Sequence, residues 1–162
     1  MVTLTKPFRS LTARDLMTRD LLLIPREASL HHAAHLLSQS QVSGAPVVDD
    51  AGRCIGVLST TDFMRWMDDD QRHAKIQPRE HACVCSDWEV VNPESLPADE
   101  VGTFMNGDPV MASPETHVAD LAHMMLDGHI HRLIVVDAEK RPIGVITSTD
   151  ILAAVARSVD AD

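Results

Sequence analysis

One nine-residue pattern is written twice in this chain. GVLSTTDFM begins at Gly56 and GVITSTDIL at Gly144. Each runs glycine, two aliphatics, three small hydroxyl residues, an aspartate and two hydrophobes. The copies stand 88 residues apart, and the same offset carries Met17 onto Met105, Asp20 onto Asp108, Glu27 onto Glu115 and Ala34-His35 onto Ala122-His123. It also carries Val47-Val48-Asp49 onto Val135-Val136-Asp137, Arg53 onto Arg141, and Thr61-Asp62 onto Thr149-Asp150. An ungapped register over about fifty residues means two copies of one structural unit. Two copies are too few for a solenoid, so a pseudo-two-fold pair is expected.

Each copy reads as β-α-β-β-α. Short extended pieces (Leu21–Ile24; Pro109–Ala112) precede helices whose apolar residues fall at i, i+3, i+4 and i+7: Leu30, Ala33, Ala34 and Leu37, then Val118, Leu121, Ala122 and Met125. Ser29 and Thr116 are read as the caps of these helices. Two strands follow in each copy, APVVDD with CIGVLST and RLIVVDA with PIGVITS, joined by turn residues of hairpin length. Thr61-Asp62 and Thr149-Asp150 then cap a second helix, Phe63–Met67 and Ile151–Val159. A three-stranded sheet with both helices on one side cannot bury its apolar area alone. The expected fold is therefore α/β (α+β), with the two units packed face to face. Residues 1–14 read as a lead-in, 15–67 as the first repeat, 68–101 as a linker or insertion, and 102–159 as the second repeat.

Composition narrows the function classes. A formal charge of −10 argues against sequence-independent binding to nucleic acid or an anionic membrane. No apolar run approaches the roughly 18–20 residues of a membrane span. The opening MVTLTKPFRSLTARD has no apolar signal core, and three cysteines form no disulfide framework, so cytoplasm is the expected compartment. With three Phe, two Trp and no Tyr, the core must be aliphatic.

The tandem β-α-β-β-α units, each ending in Gly-aliphatic-aliphatic-Ser/Thr-x-x-Asp after a Val-Val-Asp, resemble the CBS domain, which occurs in pairs as the Bateman module. The resemblance covers both repeats, about two-thirds of the chain. The chemistry of the motif agrees. A glycine at a strand end allows close backbone approach to a ligand. Hydroxyls and amides at a helix N-terminus suit an anion. An acidic side chain there can accept hydrogen bonds from ribose hydroxyls.

The resemblance implies an adenine nucleotide in the cleft between the repeats, AMP first, with ADP, ATP or S-adenosylmethionine as other adenosyl ligands. Ser59, Thr61, Thr147 and Thr149 then become phosphate or ribose contacts, and Asp62 and Asp150 ribose acceptors. In HIHRLIVVD, the pair His131-Arg132 is implied to reach the phosphates, Arg as a bidentate fork. Its counterparts Ser43 and Gly44 carry no charge, so the two pockets should differ. Ala45, Pro46, Leu133 and Ile134 are the expected aliphatic walls for the adenine, with no aromatic expected for stacking. The family also implies a homodimer formed through helical faces. ILAAVA (Ile151–Ala156) either supplies that surface or is intramolecular core.

Other constellations carry a plainer reading beside the sharper one. Thr-Asp at a helix start is first of all a capping pair, and a ligand-free interaction scaffold is the corresponding alternative function. His81, Cys83 and Cys85 in HACVCSDW suggest a redox or metal switch, yet lack the second ligand pair of a structural zinc site. His32 and His35 lie off the apolar stripe and read as solvated, and Asp68–Asp70 reads as a solvated helix end. No metal, cofactor or catalytic residue is expected: no nucleophile elbow, P-loop or HExxH is written in the chain. The chain is therefore expected not to be an enzyme, and its regulated partner protein is not specified by the sequence.

Overall fold

A computed structural model describes residues 6–71, 96 and 98–159. The chain is mixed α/β, with two three-stranded sheets and their helices, as the repeat implied. In order the elements are α1 (Ala13–Leu16), β1 (Ile24–Pro25), α2 (Leu30–Gln39), β2 (Gly44–Val48), β3 (Cys54–Ser59) and α3 (Thr60–Gln71). Then follow α4 (Val101–Phe104), β4 (Met111–Ala112), α5 (Val118–Asp127), β5 (Arg132–Val136), β6 (Pro142–Thr147) and α6 (Ser148–Val159). The sheets are ordered β1-β2-β3 and β4-β5-β6. β1 runs parallel to β2 through the α2 crossover, and β4 parallel to β5 through α5. β5 and β6 form an antiparallel hairpin, with Arg132 opposite Thr147 and Ile134 opposite Val145.

The described residues fall into two compact units, and neither is contiguous in sequence. The early unit is drawn from Leu22–Ala51 and Ile55–Asp108, the late unit from Met1–Leu21, Gly52–Cys54 and Pro109–Asp162. Each sheet is thus completed by the segment that leads into the other repeat. In the late unit, Ala13 N–H donates to Thr116 O (2.8 Å), Arg14 N–H to Pro114 O (2.9 Å) and Val118 N–H to Leu11 O (2.9 Å). In the early unit, Val101 N–H donates to Ala28 O (2.8 Å), Gly102 N–H to Arg26 O (3.1 Å) and Leu30 N–H to Asp99 O (3.0 Å). These are the same three bonds at the 88-residue offset, with the roles of the repeats exchanged. They satisfy amide donors that a helix start leaves without an intrahelical partner.

The cores follow the predicted stripes. Leu30, Ala33, Ala34 and Leu37 of α2 pack with Ile24, Val47, Leu58, Phe63 and Val101 in the early unit. Leu121 and Met125 pack with Ala13, Met17, Leu133, Val135 and Ile146 in the late one. Burying a Leu, Ile or Phe side chain contributes roughly 1.5–3 kcal/mol, so the lead-in residues Ala13, Met17 and Val101 are fixed by the same clusters as the sheets.

The ends of the helices are also duplicated. Ser29 caps α2, its Oγ accepting from His32 N–H at 3.1 Å. Thr116, however, is not the cap of α5: the helix begins one residue later than expected, at Val118 after His117. The Thr116 hydroxyl instead accepts from Ser113 N–H (3.1 Å), closing the turn before the helix. At their C-termini, Gln41 (φ 53°) and His129 (φ 49°) take the left-handed conformation at matching positions. There Val42 N–H reaches Leu37 O and Ile130 N–H reaches Met125 O, both Schellman closures.

Helix α1 depends on a capping box. Asp15 Oδ2 accepts from Thr12 N–H (2.9 Å) and Thr12 Oγ1–H (3.0 Å), while Lys6 Nζ donates to Oδ1 at 2.9 Å. The Lys6 hydrogen bond first, and the Thr12 amide second, hold the Asp15 carboxyl below its ordinary value of 3.8. A carboxyl depressed in the folded state contributes stability above its unfolded pKa and loses it as pH falls through the folded one. Asp15→Ala is accordingly expected to lower unfolding free energy by about 1 kcal/mol at pH 7. In urea titrations the gap between variant and parent should close as pH drops below 3.8.

Candidate functional site

The repeated motif forms the turn from β3 into α3 and from β6 into α6. In the late unit Thr147 N–H and Thr147 Oγ1–H both donate to Asp150 Oδ2 at 2.7 Å, and Asp150 N–H returns to Thr147 Oγ1 at 3.3 Å. In the early unit Ser59 N–H (2.8 Å) and Ser59 Oγ–H (2.9 Å) donate to Asp62 Oδ2. The helices start at Thr60 and Ser148, earlier than the Thr-Asp reading implied, because Ser59 and Thr147 occupy the cap position and each aspartate sits three residues on. Capping is thus the role the geometry shows for Asp62 and Asp150. It uses Oδ2 in both; Asp62 Oδ1 faces Arg65 Nη1 at 3.6 Å, and Asp150 Oδ1 is the second acceptor of its carboxylate. Thr61 and Thr149 lie exposed in the first helical turn.

Across the hairpin, Arg132 stands opposite Thr147 in the ladder. It is half-buried, and desolvation pulls its guanidinium below the ordinary arginine value. A cation held partly out of water is stabilised by any anion placed before it. His131 is exposed, and its carbonyl accepts from Ser148 N–H (3.0 Å), tying the start of β5 to the motif helix. Ser43 O accepts from Thr60 N–H (2.9 Å) at the matching place. Among the four expected wall residues, Ala45 and Leu133 are packed into the hydrophobic cores of their units. Pro46 and Ile134, one residue along each strand, share the opposite face with Gly44 and Arg132.

A third component escaped the sequence reading. After α1 the chain passes β6 as a strap: Thr18 N–H donates to Val145 O (2.9 Å) and Val145 N–H to Thr18 O (3.0 Å). After α4 the early unit repeats it, with Asn106 N–H to Val57 O (2.9 Å) and Val57 N–H to Asn106 O (3.0 Å). The matched pairs Met17/Met105 and Asp20/Asp108 were its signal. The strap also explains the motif glycine, which was expected to admit a ligand. A Cβ on Gly56 would lie 2.7 Å from Asn106 O, and one on Gly144 2.8 Å from Met17 Cγ. The close approach is made by the strap.

In the early unit a cleft of about 470 Å³ opens beside the motif helix, lined among others by Asp62, Arg65, Trp66, Phe104, Met105 and Asn106. Two aromatic rings therefore line a cleft at the motif, where the sequence suggested none. A second cleft, about 570 Å³ in the late unit, lies at the far end of β5 from Arg132 and includes Arg14, Met111, Pro114, Val136 and Ile143. It contains no motif residue.

His31 and His35 meet edge to face at 4.6 Å between ring centres. Among the described residues no three His, Cys, Asp or Glu side chains are grouped to hold a metal, and no helix is long and apolar enough to cross a membrane. His81, Cys83 and Cys85 lie outside the described residues.

The paired capping turns, the strapped sheets and the exchanged lead-ins define a tandem-repeat module. The model of the CBS domain matches residues 13–69 and 101–157, and the chain belongs to that family. Among similar proteins, CBSX2, a chloroplastic CBS domain-containing protein of Arabidopsis thaliana, is 28% identical over 150 residues, 88% of this chain. The match spans 63% of that relative's length. The crystal structure of CBSX2 in complex with AMP superposes with a TM-score of 0.68 at 26% identity, covering 90% of this chain and 96% of that one. The CBS domain pair of MJ0100, solved with 5′-methylthioadenosine and S-adenosyl-L-methionine, superposes at 0.69 and 18% identity over 90% and 96% of the two chains, and shows the shared fold.

Gly56→Ala tests the strap. Inserting a methyl group against a backbone carbonyl is expected to destabilise the protein by about 1–3 kcal/mol. Equilibrium denaturation measures it, and an unchanged midpoint would contradict the packing role assigned to this glycine.

Proposed function

We propose that this chain is a regulatory module that binds an adenine nucleotide, AMP in the first instance, and transmits its occupancy to a partner protein. The observation that carries the reading is the half-buried Arg132 standing opposite the cap residue Thr147, in the unit that also holds Asp150. Arg132 supplies a fork for phosphate. Thr149 and the first-turn amides of α6 supply further donors, Thr147 acts by holding Asp150 in the cap, and Asp150 Oδ1 accepts from ribose hydroxyls. His131, Pro46 and Ile134 remain proposed contacts; Ala45 and Leu133 act through the cores that hold their strands. In the early unit Ser59, Thr61 and Asp62 take the corresponding positions, without the strand arginine. The likeness to CBSX2, crystallised with AMP, supports the choice of ligand.

Regulation follows if the nucleotide favours one arrangement of the module and a partner prefers the same arrangement. No chemical step is assigned to the chain, and the cytoplasm remains our proposed compartment. We also propose a homodimer formed through α6. Ala154 is buried in the chain, whereas Leu152 (66% exposed), Val155 (40%) and Val159 (71%) line one outward stripe of that helix. The same helix gives Ile151 and Ala154 to the cores of the late unit, so it presents one buried and one outward stripe.

Thermal denaturation with AMP, ADP, ATP and S-adenosylmethionine tests the ligand. A compound at 100 times its Kd that binds only the native state adds about 2.7 kcal/mol. AMP is expected to raise the melting temperature, and Arg132→Ala to weaken AMP binding by about 10–100-fold, as loss of a charge-assisted contact implies. A flat response to all four compounds would favour the interaction scaffold. Light scattering is expected to give the mass of two chains, and of one chain for Leu152→Asp; a monomeric parent protein would remove the dimer.

A further inference from the structure

The chain holds two asparagines, Asn92 and Asn106. Asn92 precedes Pro93, whose nitrogen carries no hydrogen, whereas Asn106 precedes Gly107. The Asn106-Gly107 pair lies in the early strap, and both residues are exposed to solvent. Asn106 N–H donates to Val57 O at 2.9 Å, and Asn106 O accepts from Val57 N–H at 3.0 Å. The side-chain Oδ1 is held too, accepting from Asp108 N–H at 3.1 Å. Between these anchors Gly107 has room to turn: a Cβ built on it would meet no atom of the described residues within 4 Å. Without a side chain, its nitrogen is unshielded and its backbone rotates easily. At the 88-residue offset the late strap carries Thr18-Arg19-Asp20, without an amide side chain.

We infer that Asn106-Gly107 is a modification site, at which the chain converts its own asparagine to aspartate and isoaspartate. Gly107 N, deprotonated by solvent hydroxide, attacks Asn106 Cγ and forms a new C–N bond. The electron pair of the Cγ=Oδ1 bond moves onto Oδ1, where Asp108 N–H already donates. A donor at this distance stabilises the oxyanion as it develops. The adduct expels the side-chain nitrogen, protonated by water, as ammonia and leaves a five-membered succinimide. Water then opens the ring. Cleavage at Cγ leaves aspartate; cleavage at the main-chain carbonyl leaves isoaspartate, with the chain running through Cβ and Cγ. One water enters, one ammonia leaves, and no oxidation state changes. Either product puts a carboxylate into a cleft lining that already holds Asp62. The isoaspartate does more. Its new carboxylate is the former main-chain carbonyl, which Val57 N–H binds and which a Cβ on Gly56 would approach to 2.7 Å. A second oxygen has little room there, and the chain beyond it is one atom longer. Isoaspartate therefore loosens the early strap, while the late strap keeps its bonds.

The full chain, incubated at mildly alkaline pH and sampled over weeks, is expected to gain a single dalton in intact mass. Electron-based fragmentation, which tells the two isomers apart, is expected to place the gain at Asn106 and to find isoaspartate there. Gly107→Ala keeps the asparagine and is expected to slow the gain by at least about tenfold. Asn106→Gln is expected to remove it. Chains carrying isoaspartate, separated by ion exchange, are expected to melt below the fresh protein, whereas incubated Asn106→Gln keeps its melting temperature. No gain in mass, a gain placed at another residue, or an unchanged rate in Gly107→Ala would overturn the site. Isoaspartyl chains that melt with the fresh protein would overturn the loosening of the strap.

Discussion

The strap hydrogen bonds hold the place on which the rest of the structure depends. Thr18 with Val145, and Asn106 with Val57, each exchange two backbone bonds at the edge of a motif strand. They require a glycine at the neighbouring strand position, because a side chain there would run into Met17 or Asn106. They position the chain beside the cap, and the lead-in helix behind them enters the core through Ala13 and Met17 or through Val101. A single local constraint thus joins the sheet, the helix start and a segment remote in sequence.

The motif turn is organised by one carboxylate. The cap consumes one oxygen of Asp150 and stabilises α6 from its first turn, which is a reason for the residue even in the absence of ligand. The other oxygen belongs to the same fixed group, so a ligand that uses it meets an acceptor already held in place. Preorganisation of this kind lowers the ordering cost of binding. Arg132, half-buried opposite Thr147, is likewise held by the hairpin rather than by the motif itself.

Much of the fold was legible because it follows from period and register. The stripe Leu30, Ala33, Ala34 and Leu37 is a helical face whatever surrounds it, and the 88-residue offset implies that what one repeat does the other does too. The exchange of lead-ins was not legible, since Ala13 finds Thr116 through space and no local pattern encodes that. Thr116 misled because a hydroxyl before a helix can close the preceding turn as readily as cap the helix itself. Of the site, Asp62 and Asp150 were readable as part of a helix cap, but the sequence paired them with Thr61 and Thr149, whereas Ser59 and Thr147 are the residues they cap with. Leu133 and Ile134 could not both wall a ligand, because neighbours in a strand point to opposite faces. Trp66 went unnoticed for another reason: the cleft it lines also needs Phe104 and Asn106, which lie some forty residues further along the sequence.

The exchanged lead-ins also set an order of events for the growing chain. Residues Leu11–Thr18 are synthesised early, yet their long-range backbone hydrogen-bonding partners run from Pro114 to Val145. The sheet of the first repeat waits in turn for Asp99–Asn106 before its edge is closed. Each half is therefore finished by residues that belong, in sequence, to the other. Contacts of such long separation slow folding, and they leave a partly made chain with an open sheet edge until the second repeat has emerged. A truncation that removes one repeat takes with it a piece of the other unit's core.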